Sequence, residues 1–333
     1  MTEEETLRPA WSQHFTPDAI QELLAHGPFA KITPEWAWGG STGKGIRVAV
    51  VDSGVEYDHP ALEGCVAGGV VVEYDAKAKD NYRIKADEKP IDVSGHGTAC
   101  AGIIHSIAPE AEIYSVRVLG RNMGGRAIQF AAGLDWTIEN DMQVVNLSLS
   151  TSLEDFFGLF HDLADQAYFK NMNLISAVNN IPEPSYPSLY SSVISVAAHD
   201  GHDPFTYYYN PNPPVEFGAP GIDVEVAWNK GQYLTCTGNS FAAPHITGIT
   251  ALIRAKHPEL TPFQIKAVLL ACAANTKRQS KYPMSLRGAL LLFATKQSPT
   301  REGDCFRRKN TALAMTCIGG NTWSKSKSQL GGR

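Results

Sequence analysis

The sequence predicts an α/β fold in which a mostly parallel central sheet is covered by helices on both faces. Short, nearly continuous apolar runs alternate along the chain with segments of helical periodicity, which is typical of a parallel sheet buried on both sides. The predicted strands are residues 46–51, 112–119, 143–150, 173–180 and 192–198. With 333 residues, of which 43% are hydrophobic, the chain is long and apolar enough for one large core.

The first elements of the chain are a short helix and a glycine-rich turn. Thr16 is placed to cap a helix whose first turn holds Pro17 and which Gly27 ends. The turn, GGSTGKG at 39–45, resembles a phosphate loop only in part. Gly45 stands where such a loop has Ser or Thr, and the segment precedes a strand instead of following one. We therefore interpret it as a turn without nucleotide.

Helices are predicted between and after the strands, at 96–107, 127–140, 240–257 and 261–274. After Asn275 the periodic signal weakens, although 285–296 retains an apolar stretch that can pack on the body. The sequence thus predicts three regions. They are an N-terminal arm with a short helix (1–28), the main domain (29–276) and a basic, mobile C-terminal tail (277–333).

Charge is divided unevenly along the chain, because residues 1–276 carry −15 and residues 277–333 carry +10 of the net −5. This composition excludes a disordered chain and a wholly basic nucleic-acid binder. We expect no nucleic-acid partner, although the tail leaves open a tether to nucleic acid, to an acidic substrate or to an anionic surface. No apolar run approaches the roughly 20 residues of a membrane span.

The N-terminus and the cysteines bear on the compartment. Met-Thr-Glu-Glu-Glu has neither the basic nor the apolar region of a secretory signal, and the six cysteines form no C-x-x-C pair. We therefore expect reduced thiols, a cytoplasmic location, and neither a metal nor another cofactor.

Three segments place a reactive side chain where a strand ends or a helix begins. Asp52 follows a buried strand, His96 begins a helix between two glycines, and Ser240 begins a helix after Gly238-Asn239. Each residue alone is consistent with a cap or a turn. Together, a carboxylate, an imidazole and a hydroxyl are the groups that nucleophilic acyl transfer requires.

From about Ile32 to Ala274 the sequence resembles the subtilisin-like serine proteases, specifically an intracellular type without a prodomain. VAVVDSG, SGHGTACAG and TGNSFAAPH match the family's three motifs in the order Asp, His, Ser. The resemblance implies that Ser240 is the nucleophile, His96 the general base and then acid, and Asp52 the residue that orients His96. His245 matches a structural position.

The resemblance also implies a substrate cleft. Asn180 matches the family's oxyanion asparagine, and its amide would act together with the Ser240 backbone N–H. Ser148, Leu149 and Ser150 match the strand that pairs with an extended peptide substrate, with residues 119–125 on the opposite side.

Several positions depart from the family pattern. Ala61 stands where many members have a calcium-ligating Asp, and the loop that completes that cage is missing, so we expect no calcium there. Phe241 replaces an oxidisable methionine, and Cys100 lies one helical turn after His96, where a mercurial would inhibit. Asn179 and Ser185 replace glycines near the specificity pocket.

The predicted function is that of a serine endopeptidase acting through an acyl-enzyme. One alternative is a protease dedicated to a single precursor, which removes a leader peptide or cyclises the product. Another is an inactive binding protein on the same scaffold, which an intact triad disfavours.

Overall fold

The computed structural model describes residues 32–276 and 316–318. By internal contacts the chain divides into two units, Met1–Thr33 and Pro34–Arg333, and the elements below belong to the second. The predicted helix at Thr16–Gly27 and the apolar stretch at 285–296 lie outside the described residues.

The described part contains six helices and twelve strands. The helices are α1 (Pro34–Trp38), α2 (His96–Ile107), α3 (Ala127–Glu139), α4 (Phe157–Phe169), α5 (Asn239–Lys256) and α6 (Pro262–Cys272), with short 3-10 turns at Pro60–Leu62 and Glu154–Phe156. The strands are β1 (Arg47–Asp52), β2 (Val66–Tyr74), β3 (Tyr82–Asp87), β4 (Glu112–Arg117), β5 (Val144–Leu147), β6 (Asn173–Ala177), β7 (Ile194–His199), β8 (Tyr208–Tyr209), β9 (Phe217–Pro220), β10 (Val224–Trp228), β11 (Gln232–Thr237) and β12 (Thr316–Ile318).

Nine strands form one sheet in the order β3-β2-β4-β1-β5-β6-β7-β9-β8. All neighbours are parallel except the outermost pairs, β2 with β3 and β8 with β9, which are antiparallel. The predicted mostly parallel α/β sheet is confirmed. A second sheet, β10-β11-β12, is antiparallel, and β12 lies within the segment predicted to be a mobile tail.

Helices cover both faces of the large sheet. Val51 of β1 and Leu147 of β5 belong to one core cluster with Leu134 of α3 and Phe160 of α4. Successive residues of a strand point to opposite faces. Asn146, next to Leu147, accordingly accepts a hydrogen bond from Thr247 Oγ1 of α5 on the other face, at 3.0 Å.

The boundaries of the predicted helices agree with the structure to within two residues. A capping box begins α6, because the Thr261 hydroxyl accepts from the Gln264 N–H and the Gln264 side chain accepts from the Thr261 N–H. Helices α1 and α4 and strands β2, β3 and β8–β12 were not predicted from the sequence. In β3 four of the six residues are exposed, so this strand lacks the apolar run from which the others were predicted.

The strand order determines where the candidate site lies. β1, β5 and β6 are parallel neighbours, so their carboxyl ends meet at one edge of the sheet. Asp52 ends β1, Ser148 follows β5, and Asn180 lies shortly after β6.

Candidate active site

Asp52 and His96 form a buried pair. The His96 Nδ1 lies 2.7 Å from Asp52 Oδ1 and 2.8 Å from Oδ2, and both side chains are fully buried. An ionised carboxylate only accepts hydrogen bonds, so the imidazole carries its proton on Nδ1 and donates it to Asp52. This tautomer leaves Nε2 able to accept a proton, as a general base must.

Two glycines allow His96 to approach Asp52 so closely. A Cβ on Gly97 would lie 1.9 Å from the Gly54 carbonyl oxygen, in the segment that follows Asp52. Gly95 has a φ of +111° and faces the Trp228 ring, which a Cβ there would meet at 2.4 Å. Gly97 is therefore needed for close packing, and Gly95 for both close packing and its positive φ.

Asp92 connects the two loops that carry the pair, and sequence reasoning missed it. Its Oδ1 accepts from the Ser53 hydroxyl (2.8 Å) and from the backbone N–H groups of Ser94 and Gly95. Its Oδ2 accepts from the N–H and hydroxyl of Thr98 at 2.8 and 2.7 Å. One carboxylate thus caps the start of α2 and ties it to the residue after Asp52. The signal was an Asp four residues before the histidine.

Ser240 lies in the first turn of α5 and is 4% exposed. Pro244, four residues later, has no N–H to donate to the Ser240 carbonyl. That carbonyl instead accepts from the Ser148 hydroxyl at 2.7 Å and the Cys100 thiol at 3.5 Å. The Ser240 hydroxyl in turn donates to the Ser148 carbonyl at 3.1 Å. Pro244 leaves the Ser240 carbonyl without its helical donor, and Ser148 supplies a hydrogen bond that positions the first turn of α5.

Cys100 contacts two members of the proposed triad, Asp52 and Ser240. Its Sγ lies 3.9 Å from Asp52 Oδ2 and 3.5 Å from the Ser240 carbonyl. Burial, and then the negative charge of Asp52, raise the pKa of this thiol well above its ordinary value, so it stays protonated. The Phe241 ring covers His96 edge-on, with ring centroids 5.4 Å apart.

Asn180 is placed beside the start of α5. Its Oδ1 accepts from the Asn239 N–H at 2.9 Å, and its Nδ2 lies 3.8 Å from where a Cβ on Gly238 would be. The acceptor end of the amide is therefore engaged by the helix N-terminus, and the donor end lies over the glycine that precedes it.

Asn239 fixes the segment that leads to Asn180, and sequence reasoning missed this role. Its Oδ1 accepts from the Ala198 N–H at 2.8 Å, and its Nδ2 donates to the carbonyls of Val178 and Asn179 at 3.2 and 3.1 Å. It thereby joins β7, α5 and the 178–180 segment. An amide between the glycine and the serine of the third motif was the available signal.

The predicted substrate strand lies at the same edge, but its side chains are partly committed elsewhere. Ser148 is 1% and Leu149 4% exposed, and Ser150 is half-buried. Any pairing of this segment with a peptide would use its backbone. Ser185 is 2% exposed, and its hydroxyl lies 3.1 Å from that of Ser188.

Side chains that could bind a metal come together at one place in the described ranges. There the one group of three metal-ligating side chains is Asp52, His96 and Cys100, with ligand atoms within 4.8 Å of one another. The imidazole and carboxylate already bond to each other, and the thiol is protonated, so the group does not suit a cation. Ala61, at the position predicted to lack calcium, donates its N–H to His59 Nδ1 at 3.1 Å.

His245 is buried and structural, as predicted. Its Nδ1 lies 2.9 Å from the Phe241 carbonyl, one turn earlier in α5. Burial lowers the pKa of His245 to about 4, so the ring is neutral near pH 7.

The fold and site together define a class of α/β proteins that carry an Asp-His pair and a helix-starting serine at the carboxyl edge of a parallel sheet. The model of the subtilase family matches residues 43–289, and the chain belongs to this family.

Individual relatives agree with this assignment. The chain is 34% identical over 244 residues to the minor extracellular protease Epr of Bacillus subtilis, covering 69% of this chain and 35% of that protein. It is 31% identical over 252 residues to thermitase of Thermoactinomyces vulgaris, and the match covers 72% of this chain and 85% of thermitase. The structure matches that of a cold adapted subtilisin-like serine proteinase with a TM-score of 0.57 and 27% identity, covering 72% of this chain and 87% of that one.

Proposed function

We propose that this protein is a serine endopeptidase that hydrolyses peptide bonds through an acyl-enzyme. The observation that carries the proposal is the buried, two-oxygen contact of Asp52 with His96 Nδ1, together with a serine at the start of α5 whose carbonyl contacts Cys100 of the His96 helix. Membership of the subtilase family supports it.

In the proposed mechanism Ser240 Oγ attacks the scissile carbonyl carbon while His96 Nε2 takes the hydroxyl proton. Asp52 stabilises the imidazolium that forms and keeps Nδ1 protonated. His96 then donates its proton to the leaving amine, and the peptide C–N bond breaks. Water then attacks the acyl-enzyme carbonyl while His96 takes its proton. Return of that proton to Ser240 Oγ releases the carboxylic acid and restores the Ser240 hydroxyl.

The negative charge on the tetrahedral oxygen needs donors. The Ser240 backbone N–H, at the positive end of α5, and the Asn180 side-chain amide are proposed for this role. The hydrogen bond from the Asn239 N–H to Asn180 Oδ1 supports it, because it orients the amide with Nδ2 towards Gly238, two residues before Ser240.

The substrate is proposed to be a peptide or protein bound in extended form against the backbone of residues 148–150. Backbone pairing gives affinity without reading sequence, so side-chain preference would depend on the pockets beside it. Among the described residues, no helix combines the length and apolar character needed to cross a bilayer.

The alternatives differ in outcome and use the same residues. A dedicated maturation protease would cleave one precursor or transfer the acyl group to an amine, and an inactive scaffold would only bind. A cytoplasmic location remains a prediction, to be tested by cell fractionation because one relative is named as extracellular.

A fluorophosphonate probe tests the proposal directly, with Ser240→Ala as the matched control. We expect labelling of the wild-type chain on Ser240 and none in the variant. Incubation with a peptide library, read by mass spectrometry, then separates broad cleavage from a single recognition sequence. A wild-type chain that is folded, unlabelled and inert on the library would refute the peptidase.

A further inference from the structure

The amino edge of the sheet, opposite the edge that carries Asp52, has a cavity of about 260 Å³. It lies where β1 begins, before β5 and β6 begin, and beside the ends of α4 and α5. Three cationic side chains line it, those of Arg47, Lys170 and Arg254, together with Asp141, Gln143 and Asn171.

Arg254 is the most unusual of these residues, because it is only 6% exposed and forms no ion pair with any residue that the structure describes. In the part of the chain that the structure describes, it makes one hydrogen bond, from Nη1 to Asn173 Oδ1 at 3.1 Å, and no carboxylate lies within ion-pair distance. Its Nε is buried without a partner. A buried guanidinium without an anion is costly, and burial accordingly lowers its pKa, although arginine stays charged.

The other two cations are held in place without being neutralised. Arg47 Nη2 donates to the Asp141 carbonyl at 2.8 Å, and Lys170 Nζ donates to the Ile138 carbonyl at 3.1 Å. Neither forms an ion pair within the described ranges. The carboxylate of Asp141 lines the same cavity, so the lining carries a net charge of about +2 at neutral pH.

One acidic side chain beyond the lining lies near these cations. Burial, and then the charge of Glu139, raise the pKa of Asp135 in α3, and the charge of Lys170 opposes this rise. Asp135 does not line the cavity.

We propose that this cavity binds a small oxyanion of the phosphate class. Three converging cations from three separate elements would surround the ligand, and the planar fork of a guanidinium matches a phosphate in a two-bond contact. The site is independent of the proposed peptidase chemistry, and because α5 carries both Arg254 and Ser240, binding would stabilise the helix that holds the nucleophile.

A further feature favours phosphate over sulfate. Asn171 lines the cavity, and its Oδ1 is buried without a hydrogen-bond partner in the described part of the chain. Hydrogen phosphate has a P–OH group that can donate to such an oxygen, whereas sulfate at neutral pH has none.

The test measures thermal unfolding of the full chain carrying Ser240→Ala, which prevents self-digestion. Inorganic phosphate is titrated at constant ionic strength, with sodium chloride as the compensating salt. We expect a saturable rise in Tm of about 2–5 °C at a tenfold excess over Kd, which chloride does not reproduce and sulfate reproduces less well.

Variants locate the effect. Arg254→Met replaces a buried, unpaired charge with an apolar side chain of similar length, so the protein should fold and lose the phosphate response. Lys170→Met should raise the Kd for phosphate about tenfold. Because Lys170 is exposed, this variant should fold, and calorimetric titration of it with phosphate tests the proposal if Arg254→Met fails to fold. Lys44→Met, an exposed lysine elsewhere on the surface, is the control and should respond like the parent.

A parent protein whose Tm rises no more with phosphate than with chloride would overturn the proposal. So would an unchanged response in Arg254→Met. Equal responses to phosphate and sulfate would overturn the role given to Asn171. Because the readout is unfolding of a chain without Ser240, none of these results depends on peptidase activity.

Discussion

The contact between Ser148 and the carbonyl of Ser240 exists because Pro244 cannot donate to that carbonyl. Ser148→Ala removes the 2.7 Å bond to it and the 3.0 Å bond from Asn146 Nδ2. Both bonds are buried. Asn146 Nδ2 loses this partner, which costs about 1–3 kcal/mol, and the Ser240 carbonyl keeps only the weak 3.5 Å contact with the Cys100 thiol. We therefore expect the free energy of unfolding to fall by about 2–3 kcal/mol.

A double-mutant cycle isolates the carbonyl's share of this loss. Pro244→Ala restores an N–H four residues after Ser240, so the carbonyl regains a helical partner and depends less on the Ser148 hydroxyl. In that background Ser148→Ala should cost about 1 kcal/mol less, while the loss of the Asn146 bond is common to both and cancels.

The assay is urea unfolding followed by circular dichroism, in the Ser240→Ala background, which keeps the backbone carbonyl. Four proteins complete the cycle: the parent, the two single variants and the double variant. A coupling energy near zero would mean that the Ser148 hydroxyl and the missing N–H are independent. The account of how α5 is positioned would then be wrong.

Three further predictions concern the site and its support. Asn180→Asp keeps the oxygen that accepts from Asn239 but loses the donor, so kcat on a fluorogenic peptide should fall about 100- to 1,000-fold with little change in KM; an unchanged kcat would exclude the amide. His245 has a pKa of about 4 in the folded protein against about 6.5 unfolded, so the unfolded chain binds the extra proton between these values. The contribution of neutral His245 to the free energy of unfolding should be fully present above about pH 6.5 and fall by about 3 kcal/mol as the pH drops to about 4. His245→Gln should remove most of this pH dependence, as urea unfolding at several pH values would show. A variant whose stability falls as steeply would contradict the prediction. The sequence predicts inhibition by mercurials at Cys100, but the thiol is fully buried and burial raises its pKa well above its ordinary value, so the structure reverses that expectation. Mercurials and peroxide should modify Cys100 only in urea, as peptide mapping by mass spectrometry would show; rapid modification of the native protein would contradict this.

The α/β sheet was predictable because its central strands are buried on both faces and must therefore be apolar throughout. Val48 to Val51 of β1 are all fully buried, and such a run is readable without a structure. Strand β3 was missed because it lies at the sheet edge with most side chains exposed, where burial leaves no pattern. Helix α4 was also missed, and its mixed sequence buries only four side chains.

The sequence by itself determined the fold class, the order of the three motifs and the residues Asp52, His96 and Ser240, because their identities and local strand or helix context are local properties of the chain. Only the tertiary structure decided what surrounds them. Three contacts join residues from different elements. The Asp92 carboxylate caps the helix of His96, and Asn239 bonds to the 178–180 segment. The Ser148 hydroxyl donates to the Ser240 carbonyl, to which Pro244 cannot donate. Contacts of this kind depend on how the strands are ordered and packed, which no local pattern encodes.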